Sequence, residues 1–219
     1  MAPPQTPIAI LVIHGAYFLP PPWDEFIARP KEKDTTVECL RLVSCGDSKL
    51  PSPTAALTDD VRSKLFGRPP NAFFAGSPGC LLVQPSPSLQ GVIAKYGFQC
   101  DVDLGSEDGG GDVYAKIAAE SLYNDTERER TVELAKDVTY NWAAAGGEIP
   151  GAPWKVIDTV YVHLRQHPAI RLPLQKSIIQ EAIEAGGKIR TEELDSGHCA
   201  FLSRSEVLVG IVKAAGRAG

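Results

Sequence analysis

With 219 residues, 43% of them hydrophobic, the chain suffices for one domain with a sizeable core and is cramped for two. A net charge of −5 with no cluster of Lys and Arg argues against nucleic acid as a partner, because phosphate binding needs clustered cations. The five cysteines (Cys39, Cys45, Cys80, Cys100 and Cys199) form no CxxC and no Cys/His metal spacing, which speaks against a disulfide framework or a metal site and for reduced thiols in a cytoplasmic protein.

In chain order, Ile8 to Ile13 is a continuous aliphatic run ended by His14-Gly15, the pattern of a strand buried in a parallel sheet. It is too short to span a membrane and lacks a basic leader, so no membrane association is expected. A helix is predicted from Trp23, and "TTVECLRLVS" has the β-branched residues of a second strand. "LTDDVRSKLFG" reads as a short helix, with Thr58 as its N-cap and Gly67 as its stop. From Pro69 to Val113 Pro and Gly interrupt every few residues; only "CLLV" reads as strand and "SLQGVIAKYG" as helix.

The acids of "DVDLGSEDGGGD" lack the glycine and ligand spacing of a calcium loop, so a solvated loop is expected there. "DVYAKIAAESLYNDTERERTVELAKDVTYNWAAAG" has helical composition and predicts two or three helices. The C-terminal third alternates strand "DTVYVHL", helix "RLPLQKSIIQEAIEAG" stopped by Gly186-Gly187, strand "KIRTEEL", a loop with His198, and the final helix "SRSEVLVGIVKAAG". That alternation is the signature of an α/β sheet.

Four segments together resemble the α/β-hydrolase superfamily, in particular its small cofactor-free esterase-like branch. They are "ILVIHGAYFLPPPWDEFI", "VECLRLVSCGDSKLPSPTAALTDDV", "SLYNDTERERTVELAKDV" and the stretch from "VYVHLRQHPAIRLPLQ" to "SGHCAFLSRSEVLVGIV". The resemblance implies a single α/β domain over 1–219, a mostly parallel sheet flanked by helices, and a helical lid at about 101–150. It also implies that His198 is the catalytic base, that the loop of Gly15, Ala16 and Tyr17 binds an oxyanion, and that no cofactor or metal is needed. Only fifteen residues separate Leu65 from Leu81, so the central strand and nucleophile elbow read as shortened. Such a sheet exposes edges through which two copies could pair as a homodimer.

The nearest match to an elbow is "AFFAGSPG", which offers Ser77 as nucleophile. Pro78 follows it, and the residue after the nucleophile is the one whose N–H should bind the oxyanion; proline has none. In the family an Asp stands ahead of an "xxIPxxxQ" stretch, whereas "LRQHPAIRLPLQ" puts His167 at that place. Asp195 and Glu193 are the alternative acids, and Cys80 and Cys199 the alternative nucleophiles. Three functions follow. The first is an enzyme acting on a small ester, lactone or activated carbonyl, with His198 as acid/base and an impaired serine triad. The others are a non-hydrolytic lyase or cyclase on the same fold and a ligand-binding protein without catalysis.

Overall fold

In the computed structural model, Ile8–Ile13 forms strand β1, and its alternating faces show why this run is aliphatic throughout: Ile10 and Val12 are buried on one side while Leu11 and Ile13 are half-buried on the other. The structure describes residues 8–13, 15, 21–29, 35–40, 45–47, 72–75, 104–105, 112–115, 120, 122–134, 138–141, 152–168 and 170–218. The sequence-predicted helices at 57–67 and 88–97 and the strand "CLLV" lie outside them, as do Ala16, Tyr17 and Ser77.

β1 sits between two parallel neighbours. β2 (Thr35–Leu40) pairs from Ile8↔Thr35 to Ile13↔Leu40, and β4 (Ala72–Ala75) pairs from Ile10↔Ala72 to Ile13↔Ala75. β4 corrects the reading of the middle of the chain: "AFFA", expected as loop, is a four-residue strand beside β1. Its flanking Pro and Gly residues hide it from any periodicity. It ends two residues before Ser77, so in the chain the serine follows a strand that pairs with β1.

β3 (Cys45–Asp47), β5 (Leu104–Gly105), β6 (Asp112–Ala115) and β7 (Val138–Asn141) form a second, antiparallel sheet in the order β3-β7-β6-β5. Here the expected run of helices carries strands at both ends. β6 and β7 hold the β-branched and aromatic residues Val113, Tyr114, Val138, Thr139 and Tyr140, whose preference for a pleated surface outweighs the helical composition around them. Among the described residues between them stands helix α2 (Arg128–Leu134); α1 (Asp24–Ala28) lies earlier in the chain.

The C-terminal unit follows the sequence closely. β8 (Thr159–Leu164) and β9 (Ile189–Leu194) are parallel, in register from Thr159↔Ile189 to Leu164↔Leu194, and joined by helix α3 (Leu172–Glu184). Pro173 stands in the first turn of α3, where its missing N–H is harmless. The helix ends in a Schellman motif: Gly186, at φ 94°, donates to Ile183 O, and Gly187 donates to Ala182 O at 2.9 Å. A Cβ on Gly187 would meet Ala182 O at 2.7 Å and the Trp154 ring at 2.8 Å, so both glycines of the stop signal are required.

The last helix is broken at Arg204 into α4 (Ala200–Ser203) and α5 (Ser205–Ala218). One apolar core joins these parts: Ile10 and Val12 of β1, Leu122 and Tyr123 ahead of α2, Leu164 and Leu194 at the strand ends, and Phe201, Leu208 and Val212 of the last helices. Trp23 is buried in it and stacks on Phe201 with ring centroids 3.6 Å apart, tying the loop after β1 to the helix after His198. Among the described residues no helix is long and apolar enough to cross a membrane.

Candidate active site

Two loops meet at the C-terminal ends of β8 and β9, where α/β sheets bind ligands. β8 ends at Leu164, and a turn through Arg165 and Gln166 delivers His167; β9 ends at Leu194, and Asp195-Ser196-Gly197 delivers His198 to the start of α4. The two imidazoles touch: His198 Nδ1 and His167 Nε2 are 2.7 Å apart, with the ring planes near perpendicular at 84°. The residue found at the place expected for the acid thus lies directly against His198. Its Nδ1 accepts the backbone N–H of Ile170 at 3.0 Å.

Both rings are held neutral. Burial is the main cause in each case, pushing the pKa of His167 down to about 2, with the adjoining His198 adding to the effect. His198 is pushed down to about 4, the nearby carboxylate of Asp125 offsetting part of the burial cost.

Asp125 is the residue that sequence reading missed. Its Oδ2 accepts the hydroxyls of Ser196 (2.9 Å) and Ser203 (2.6 Å) and the backbone N–H of Gly197. Its neighbour Asn124 spans both loops, accepting the N–H of His198 at 3.3 Å and donating to Gln166 O at 3.1 Å. Any side chain on Gly197 would collide with Asn124 and Asp125, which explains the glycine before His198. The available signal was "YND" in a segment otherwise read as lid helix. These residues read only as a break between helices, and nothing local joins them to the loop of His198.

The other candidate acids stand elsewhere. Asp195 is exposed and its Oδ1 accepts from Gln166 Nε2 at 2.9 Å. Glu193 lies on the exposed side of β9 in ion pairs with Lys176 (2.6 Å) and Arg165 (3.9 Å). Cys199 is buried and turns its thiol to Leu122 O at 2.9 Å, and burial raises its pKa well above the usual thiol range, which makes it a packing residue. Gly15 is buried just beyond β1. Among the described residues no group of three or more His, Cys, Asp and Glu could hold a metal ion.

Gln175 explains the glutamine of the "LPLQ" stretch. It is fully buried; its Oε1 accepts Leu164 N–H at 2.9 Å, and its Nε2 donates to Leu164 O at 2.8 Å and Ile170 O at 2.6 Å. It closes the end of β8 onto the turn that carries His167. Gln175→Ala removes three hydrogen bonds to the backbone and is expected to cost about 3 kcal/mol, read as a lower urea midpoint with an unchanged slope.

No protein-family model and no curated protein matches the sequence. Solved structures do match in shape. A pyrethroid hydrolase, PytH, aligns with a TM-score of 0.76 at 14% identity over 97% of this chain and 98% of its own. Polyneuridine aldehyde esterase aligns at 0.75 and 11% over 96% and 99% of the respective chains. Tomato methylketone synthase I, solved as a variant complexed with beta-ketoheptanoate, aligns at 0.70 and 13% over 96% and 98%. These neighbours share the α/β-hydrolase fold, and the chain has that fold along nearly its whole length.

Proposed function

We propose that this protein acts on a small carbonyl compound, an ester, lactone or activated carbonyl, with His198 at the reacting centre. The observation that carries this reading is the His198–His167 contact of 2.7 Å at the strand ends, in a chain that shares its fold with esterases. A surface histidine needs no buried partner, and a packing histidine has no reason to stand at the end of a loop built by Asn124, Asp125 and Gly197. The oxyanion would be met by the loop of Gly15, Ala16 and Tyr17. Ser77, after β4, is the candidate nucleophile for hydrolysis.

A second reading, non-hydrolytic lyase or cyclase chemistry or ligand binding alone, is favoured by one specific observation. The partner of His198 is an imidazole where a serine triad requires a carboxylate. Turnover of p-nitrophenyl esters, lactones and beta-ketoheptanoate by the wild type and by His198→Ala tests the proposal. A loss of a hundredfold or more in kcat/KM is expected on the active substrate. Full turnover by His198→Ala would sink it. If no compound is turned over and one raises the Tm of both proteins equally, the histidine is structural and the binding-protein reading replaces the enzyme.

A further inference from the structure

The bond between the two imidazoles has a direction, and Ile170 fixes it. A backbone N–H can only donate, so Nδ1 of His167 receives it with a lone pair. A neutral imidazole has one proton, which His167 must then carry on Nε2 and donate to Nδ1 of His198. His198 accepts at Nδ1, so its own proton sits on Nε2. The reverse direction would have His167 accept at both nitrogens, which demands an imidazolate, and burial opposes the doubly protonated alternatives for either ring.

In a serine triad the order is opposite: a carboxylate accepts from Nδ1–H and leaves the Nε2 lone pair to take the nucleophile's proton. Resting on the reading of His198 as the centre of the site, we infer that His198 meets its ligand as a hydrogen-bond donor through Nε2–H and not as a proton acceptor, so that the site selects a small molecule presenting a carbonyl or carboxylate oxygen there. The pair holds the proton in place: giving it up would leave His198 anionic unless His167 supplied another through Nδ1, and His167 would then be the anion. The chemistry open to such a group is polarisation of a carbonyl and stabilisation of the negative charge that grows on its oxygen, as neutral histidines elsewhere provide. Deprotonation of a serine hydroxyl is not open to it in this state.

Two measurements decide this. Two-bond proton–nitrogen correlation spectra of the ¹⁵N-labelled protein at pH 7.5, with His198 assigned by loss of its signals in His198→Asn, should show Nε2 as the protonated nitrogen and Nδ1 as the bare one. The reverse assignment overturns the inference even if His198→Ala has abolished turnover, in which case the proposed function stands without it. On a substrate that the wild type consumes, His198→Gln should retain at least tenfold more kcat/KM than His198→Ala, because its amide N–H reaches the place of Nε2–H but takes up no proton. Equal loss in both variants would mean that a base had been removed and would likewise overturn it.

Discussion

Replacing His167 by Glu is expected to raise the pKa of His198 from about 4 to 6.5 or above and to move its proton from Nε2 to Nδ1. Glu is the better choice than Asp because its carboxylate reaches as far along the side chain as the Nε2 it replaces, whereas Asp oxygens stop level with Nδ1. One oxygen would accept from His198 Nδ1–H and the other would face the N–H of Ile170. The negative charge favours the imidazolium and the hydrogen bond fixes the tautomer, so Nε2 gains the lone pair of a general base. Supplying a triad acid of the correct hydrogen-bonding character is worth up to about ten-thousandfold in rate where a serine is in reach. Pro78 keeps part of that from being realised, since one missing oxyanion donor costs about a hundred- to a thousandfold. The pKa, followed by the pH dependence of the His198 ring signals, is the cleaner reading; a value still near 4 in a folded variant would show that burial alone governs the ring.

The second large effect is loss of stability in mild acid. Both histidines have folded-state pKa values below the ordinary 6.5, so between 6.5 and their folded values the unfolded chain binds protons that the folded one refuses. Stability is therefore full above pH 6.5 and falls as the pH drops. The loss from His198 levels off near its pKa of about 4, and that from His167 continues toward about 2. At pH 4.5, two pH units below the unfolded value, the pair costs about 5 kcal/mol, which is the scale of a small domain's whole stability. His163, also buried and lowered, adds in the same direction. Urea unfolding from pH 7.5 to 4.5 should show the decline, and the double variant His167→Asn with His198→Asn should flatten most of it. An unchanged midpoint across that range in the wild type would contradict the neutral pair.

What the sequence disclosed tracks the strength of local signals. β1, β8, β9 and α3 are long enough for their periodicity to show, and the Gly186-Gly187 stop records a real Schellman geometry. β4, β6 and β7 are four residues each and derive their stability from pairing with strands distant in sequence, so composition around them misleads. The loop that carries His198 was legible because its residues are consecutive. The direction of its hydrogen bond was not: it depends on the N–H of Ile170 reaching Nδ1 of His167, while Nε2 of the same ring meets an imidazole from a loop thirty-one positions away. Asp125 was hidden for a related reason, being one charge among many until the fold sets it beneath Ser196 and Gly197.

The central claim, that His198 does not serve Ser77 as a base, is tested most directly by covalent labelling. A serine-directed phosphonate needs an activated hydroxyl. Mass spectrometry after exposure at neutral pH should find Ser77 unmodified in the wild type. Stoichiometric phosphonylation of Ser77 in the wild-type protein would contradict the account and restore a working serine hydrolase.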